Sequence, residues 1–263
     1  MSANDSKTLS GQALKQALLE RLRFERAMGI ESIHPVRLER KTITALEPAT
    51  HAIAKAPPPK TEVKAAPVAR PAGEIDARWK ELEAQALSCT KCVLHTGRNK
   101  VVFGCGNKQA QLVFVGEGPG ADEDQQGLPF VGRAGQLLNK IINAMGLQRD
   151  EVYICNVVKC RPPDNRTPES NEIAACSLFL EEQLSLISPK VIVTLGGPAT
   201  KTLLQTSQGI MSIRGRWFSY KNIPVMPTYH PAFVLRQYTE ENRRAVWDDM
   251  KKVVERIKQG PPA

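Results

Sequence analysis

The chain has 263 residues, 41% of them hydrophobic, and a formal charge of +9 from 36 Lys and Arg against 27 Asp and Glu. That is enough apolar material for one sizeable core plus an appendage, yet no apolar run approaches the roughly 20 residues of a membrane-spanning helix. The excess charge suits a polyanionic partner, because Lys and Arg displace counterions from phosphate backbones, but residues 1–73 hold 12 of the bases against 7 acids, so much of it lies on an N-terminal tail.

The N-terminus, MSANDSKTLSGQALKQ, lacks the apolar core of a secretory signal, and a cytoplasmic location is expected. Residues 10–33 have the pattern of an amphipathic helix, with Leu14, Leu18, Leu22 and Met28 near one face. Residues 45–73 are rich in Ala, Pro and Lys and include Pro57-Pro58-Pro59, a composition that cannot bury a core and reads as a linker. Three units are expected: an extension over 1–44, a linker over 45–73 and a folded domain over 74–263. A helix over 74–87 leads into Cys89.

Downstream the pattern alternates. Strands are predicted at Leu112–Val115, Val152–Val158, Val191–Leu195 and Ile223–Thr228. Helices are predicted at Ala134–Met145, Pro168–Ile187, Pro198–Gln205 and Glu240–Lys258, with Thr167 capping the second and Pro168 in its first position. The expected class is α/β: a central four-stranded parallel sheet covered by helices on both faces, a three-layer sandwich. Such sheets bind ligands outside the carboxyl ends of their strands. Those ends are Gly116–Gly120 (GEGPG), Asn156–Cys160, Gly196-Gly197 and Tyr229-His230-Pro231.

Four cysteines fall into two pairs. Cys89 and Cys92 form a C-x2-C knuckle; Cys160 follows the second strand, and Cys176 sits in the next helix. Six cysteines in an intracellular chain argue for metal binding or burial over disulfides. Four thiolates suit Zn²⁺ or an iron–sulfur cluster, and spacing does not choose between them. Cys105, in a Gly-Cys-Gly turn, and Cys155, within a strand, read as packing residues.

The GEGPG segment is not a dinucleotide-binding loop: its last glycine is one position early for G-x-G-x-x-G, and Pro119 removes an amide that could face phosphate. What this stretch offers instead is carboxylates, so that Glu117, within the segment, and Asp122, Glu123 and Asp124, after it, are all candidates. Phe130, between Gly127 and Gly132, could form a stacking platform for a base. Asn156 presents a donor and an acceptor side by side, which matches a nucleobase edge. His230 could donate a hydrogen bond to a developing anion.

The stretches CTKCVLHTGRNKVVFGCGN, LVFVGEGPGADEDQQGLPFVGRAGQLL, YICNVVKCRPPDNRTP and PTYHPAFVLR resemble family 4 uracil-DNA glycosylases, the iron–sulfur branch of that superfamily, over about residues 80–258. The resemblance implies a [4Fe–4S] cluster on Cys89, Cys92, Cys160 and Cys176, structural in role. It implies hydrolysis of the N-glycosidic bond of uracil in single- or double-stranded DNA, leaving an abasic site. It places Glu117 and Gly118 beside the uracil, stacks Phe130 on the base, has Asn156 read its edge and His230 hydrogen-bond its O2 side. Glu117, His230 and Glu123 form the implied catalytic set, and Asn165 supports it. Phe233, Val234 and Leu235, in the loop after His230, match a DNA wedge. A monomer at the nucleoid is expected, with a possible protein partner for the N-terminal helix. The rival reading is a metal-stabilised nucleic-acid-binding module of a repair assembly without excision activity.

Overall fold

The computed structural model describes residues 72–259 and, upstream of them, Leu19, Leu22, Glu25, Arg26 and Gly29. Leu19, Leu22, Glu25 and Arg26 are helical. The rest of the helix expected over 10–33, and the expected linker up to residue 71, lie outside the described residues. The first continuous element is α1 (Ala72–Leu87), so Ala72 and Gly73, assigned by composition to the linker, are helical. Trp79, Leu82 and Ala86, three and four residues apart, form its buried stripe.

Nine further segments build the sheet and its first covering layers. They are β1 (Cys105–Gly106), β2 (Leu112–Gly116), α2 (Ala121–Gln126), α3 (Arg133–Ala144), β3 (Tyr153–Asn156), α4 (Ser170–Ile187), β4 (Val191–Leu195), α5 (Gly197–Leu204) and α6 (Ile210–Ile213). The chain finishes with β5 (Phe218–Tyr220), β6 (Ile223–Thr228), α7 (Pro231–Arg236) and α8 (Glu240–Lys258). The six strands form one sheet in the order β1-β3-β2-β4-β6-β5. Its four central strands are parallel, as expected; β1 and β5 add short antiparallel edges.

Alternation along each central strand makes the three layers. Leu112 and Phe114 of β2, Ile154 of β3, Val191 and Val193 of β4 and Met226 of β6 point to one face, where α3, α7 and α8 cover them. Val113, Val115, Tyr153, Cys155, Ile192 and Val225 point to the other, under α1, α4 and α5. Both faces are therefore apolar, which is why these strands read as unbroken hydrophobic runs.

The differences from the expected elements have local causes. The edge strands are too short to show a period; β5 returns to β6 through Lys221 and Asn222, both at positive φ, the geometry of a tight hairpin turn. The helix expected from Pro168 starts at Ser170 instead. Glu172 accepts a hydrogen bond from the Glu169 amide at 2.7 Å and a bidentate grip from Arg166, so Thr167 and Pro168 remain in the incoming loop. Helices α2 and α7, six residues each, are too short to show an apolar period, and α7 stands where a loop is expected after His230.

Candidate active site and cysteine centre

The carboxyl ends of β2, β3, β4 and β6 open into one cleft of about 570 Å³, a size suited to a nucleotide-like ligand. Glu117, Gly118, Glu123, Phe130, Asn156, Asn165 and His230 all line it, as do Arg166, Thr167, Gly196 and Arg236. The sequence-predicted residues, scattered over more than a hundred positions, are thus brought to one wall-to-wall site by the strand order.

Asn156 ends β3 directly opposite Gly116, the last residue of β2. It is 1% exposed, and its Oδ1 has no hydrogen-bond partner. A buried acceptor left unpaired costs about 1–3 kcal/mol, so its retention at a cleft points to a ligand donor. Gly116 makes this arrangement possible: a Cβ there would stand 2.3 Å from Asn156 Oδ1 and 2.7 Å from the Phe130 ring. The amide and the ring meet over a bare backbone.

Phe130 is buried and held at φ 52°, the left-handed region that a bulky side chain enters only under constraint, at a cost of about 1–3 kcal/mol. Its carbonyl lies so close to α3 that a Cβ on Gly135 would meet it at 1.8 Å. Its ring centroid is 5.6 Å from that of His230, the planes inclined by 31°, so the two rings border the same space. Glu123 accepts hydrogen bonds from the amides of Val131 and Gly132 at 2.9 and 3.0 Å, and from Gly120 at 3.1 Å. Its oxygens are engaged by the backbone, so Glu123, expected in the catalytic set, pins the Phe130 loop to the GEGPG loop. Asp124 is fully buried on the amides of Asn99 and Lys100, and Asp122 is exposed. Of the four candidate carboxylates, Glu117 is the one free to act on a ligand.

Glu117 is half-buried, and desolvation lifts its carboxyl above the ordinary 4.5, opposed by a hydrogen bond with the Thr167 side chain. Thr167 thus serves the acid of the cleft rather than a helix cap. Asn165 lines the cleft at φ 55°, and its Oδ1 accepts from Arg161 Nε at 2.9 Å. Gly118 lies against Val158 and Pro162, where a Cβ would meet Val158 at 2.8 Å.

His230 follows β6 and caps α7: its Nδ1 accepts from the Ala232 amide at 3.1 Å. An accepting Nδ1 carries no proton, so the neutral ring carries its proton on Nε2. Burial, aided by the Arg236 charge and opposed by Glu123, pushes the imidazole down to about 4. The end of β6 is itself anchored by a buried pair that the sequence gives no cue to: Arg214 binds Asp249 of α8 at 2.6 Å, and Asp249 accepts from Thr228 Oγ1 at 2.6 Å.

The expected wedge is not a loop. Phe233, Val234 and Leu235 lie on α7, and Val234 is fully buried in the core against α3 and α8. Val234 is a packing residue. Phe233, whose ring centroid lies 4.8 Å from that of Tyr229 with the planes inclined by 45°, and Leu235 are partly exposed.

Cys89, Cys92, Cys160 and Cys176 line a second, smaller cavity on the α1–α4 side of the sheet, together with Lys91, His95, Arg98, Lys159 and Phe179. All six cysteines are free thiols; Cys105 and Cys155 lie outside this cavity. Among the described residues no group of three or more His, Cys, Asp or Glu side chains is arranged to hold a single metal ion. Two donors face the sulfurs: Arg98 Nη1 reaches Cys160 Sγ at 3.2 Å and the Lys159 amide reaches Cys176 Sγ at 3.3 Å. The Lys159 side chain, 1% exposed, runs back into the sheet, where its Nζ donates to the main-chain oxygen of Asn156 at 2.8 Å and to Gln183 Oε1 at 2.6 Å. Gln183 in turn donates to Phe103 O and Tyr153 Oη. Sequence reading missed this network because a buried lysine is rare enough that no pattern announces it.

A family model described as the uracil DNA glycosylase superfamily matches residues 103–251. The chain is 48% identical over 175 residues to a type-4 uracil-DNA glycosylase of Thermotoga maritima, which covers 65% of this chain and 90% of the relative. It is 45% identical over 184 residues to a type-4 uracil-DNA glycosylase of Sulfurisphaera tokodaii, covering 66% and 83%. A type-5 uracil-DNA glycosylase of Pyrobaculum aerophilum is more distant, at 31% over 144 residues, covering 48% and 63%.

Proposed function

The chain belongs to the uracil-DNA glycosylase superfamily, as a type-4 member that excises uracil from DNA, and from that premise we propose how its own residues do so. The observation that carries the proposal is the unpartnered, buried Oδ1 of Asn156 facing a cleft shared with Phe130 and His230.

A base inside a duplex is out of reach, so it must leave the stack at a cost of a few kcal/mol. In the cleft, uracil N3–H donates to the free Asn156 Oδ1, and the Asn156 amide donates to O4. Cytosine presents the reverse pattern at both positions and leaves the amide mispaired. Phe130 stacks on the ring, and its place beside Asn156 and Gly116 aligns the base edge with the amide. As the N-glycosidic bond breaks, its electron pair passes to the base, and charge gathers on O2. The neutral His230 donates from Nε2 to that oxygen and needs no proton transfer to do so. The deoxyribose left behind has oxocarbenium character. Glu117, ionised, opposes that positive charge and accepts the proton of the water that attacks C1′. The residues lining the cleft include no lysine, so no amine is placed to form a Schiff base and cut the strand. Phe233 and Leu235 fill the gap left by the flipped base.

The chemistry of the four thiols fits an iron–sulfur group: they line one cavity, and two of them accept hydrogen bonds. When bound, a [4Fe–4S] cluster supplies a cross-link rather than a reacting group. We assign the excision unit to residues 72–263, since α1 begins at Ala72, with 1–44 as extension and the residues between as linker.

Two outcomes test the site. Glu117→Gln is expected to lower single-turnover excision about 10²–10³-fold with unchanged affinity for undamaged DNA, the range for loss of a general base. Full excision by this variant overturns the assignment. The same substitution should raise the melting temperature at neutral pH. A carboxyl whose folded pKa lies above its unfolded value stabilises the fold only at low pH, and that contribution is lost as pH rises and it ionises.

The acid limb of the pH–rate profile should belong first to Glu117, above pH 4.5, and in Glu117→Gln should move down toward pH 4, where His230 gains a proton. His230 works in the opposite direction on stability. Its folded pKa is below its unfolded 6.5, so its contribution is complete above about pH 6.5 and lost as pH falls toward 4. A pH–rate limb that does not move in Glu117→Gln would contradict this division of roles.

A further inference from the structure

We propose that Arg149 is a positioning residue for the flipped base, holding Phe130 in its strained conformation from the side that Glu123 does not reach. A residue at φ 52° with a bulky ring relaxes unless both flanking peptides are fixed. The following side is fixed by Glu123 on the amides of Val131 and Gly132. The preceding residue is Pro129, which has no N–H, so its carbonyl is the one main-chain group by which it can be held. Arg149 Nη2 donates to that carbonyl at 2.5 Å, while Nη1 of the same guanidinium donates to Asn139 Oδ1 at 2.7 Å.

Asn139 lies on α3, the helix that begins three residues after Phe130. The planar fork of Arg149 therefore staples the peptide before Phe130 to the helix after it, closing the loop on itself. A lysine in its place has one point of attachment and no fixed plane. Arg149 does not line the cleft. Its action is through the ring: with the Pro129 carbonyl released, the 129–130 peptide can rotate, φ of Phe130 can return to negative values, and the ring leaves its seat over Gly116 and beside Asn156.

This inference rests on the reading that Phe130 stacks on uracil, so Phe130→Ala is measured alongside. Arg149→Ala is expected to slow single-turnover excision about tenfold, the rate equivalent of ~1.4 kcal/mol of geometry no longer held. It should weaken inhibition by free uracil to a similar degree, leave affinity for undamaged DNA unchanged, and recover in part when millimolar guanidinium is added. A merely structural arginine would not give that recovery in a folded variant. Wild-type excision and uracil affinity in Arg149→Ala, with Phe130→Ala impaired, overturn the inference alone; an unimpaired Phe130→Ala overturns the stacking reading beneath it. A slowing that guanidinium leaves unchanged and that tracks lost folded protein also overturns it. If Arg149→Ala does not fold, Asn139→Leu, which frees one end of the staple, should slow excision about threefold, and an unchanged rate there counts against it.

Discussion

Asn156→Ala is expected to slow single-turnover excision of uracil by about 10²–10³-fold while the protein remains as stable as the wild type or becomes more so. The two halves of this expectation come from one fact. Asn156 Oδ1 is buried and unpaired, so truncating the side chain removes an unsatisfied acceptor from the folded protein. Removing such a group offsets part of the cavity that truncation leaves. In the complex the same atom meets N3–H, and the amide group meets O4. Two hydrogen bonds in a dry cleft, to a base that becomes an anion, are together worth roughly 3–4 kcal/mol, which converts to the stated range. Stopped single-turnover assays and melting curves check both halves. A variant that melts early yet excises normally would make Asn156 a structural residue and remove the foundation of the recognition scheme.

Cys176→Ala is expected to abolish the yellow-brown colour of a [4Fe–4S] cluster, lower the melting temperature steeply and leave less than about 1% of the excision activity. Cys105→Ala, changed outside the cysteine cavity, should keep the colour. The effect is large because Cys176 sits on α4 two turns before Gln183, and both side chains face the end of β3. A cluster held by these thiols would anchor Cys160 and the loop up to Thr167, which brings Asn165 and Thr167 into the cleft. Metal-centre binding energy is folding energy when the site does not exist in the unfolded chain. Metal analysis and visible absorption on the purified protein settle the identity of the centre. A colourless protein that holds zinc and excises at full rate would replace the cluster by a zinc site.

Much of this architecture is legible in the residues. Strands buried on both faces leave apolar runs such as Leu112–Val115, and the carboxyl ends of a parallel sheet are where polar residues must be explained by chemistry. Asn156 and His230 stand out on that ground. What escaped shares a different cause. Glu123 and Asp124 look alike in sequence and like Glu117, yet their carboxylates differ entirely in whether a backbone amide reaches them first. Val234 reads as a wedge until α7 turns it into the core. The strain at Phe130, the Arg149 staple and the Arg214–Asp249 pair depend on contacts between segments tens of residues apart, which no local pattern carries. Even Thr167 fits a cap by its position before Pro168, and only the approach of Glu117 assigns it elsewhere.

Lys159 has a consequence for anyone who would transplant this pocket. Its amine is enclosed, with burial lowering its pKa against the opposing influence of the Cys155 and Cys176 sulfurs, and its hydrogen bonds end on the strand that reads the base. Stripping the four cysteines to obtain an oxygen-tolerant glycosylase would therefore take the Cys176 sulfur from beside a buried amine directly beneath Asn156, leaving that amine with Cys155 and Gln183 as neighbours. The unit to be exchanged includes the four cysteines, Lys159, Gln183 and Arg98, whose guanidinium donates to Cys160 Sγ. A cluster-free scaffold has to supply an apolar replacement for all of them together.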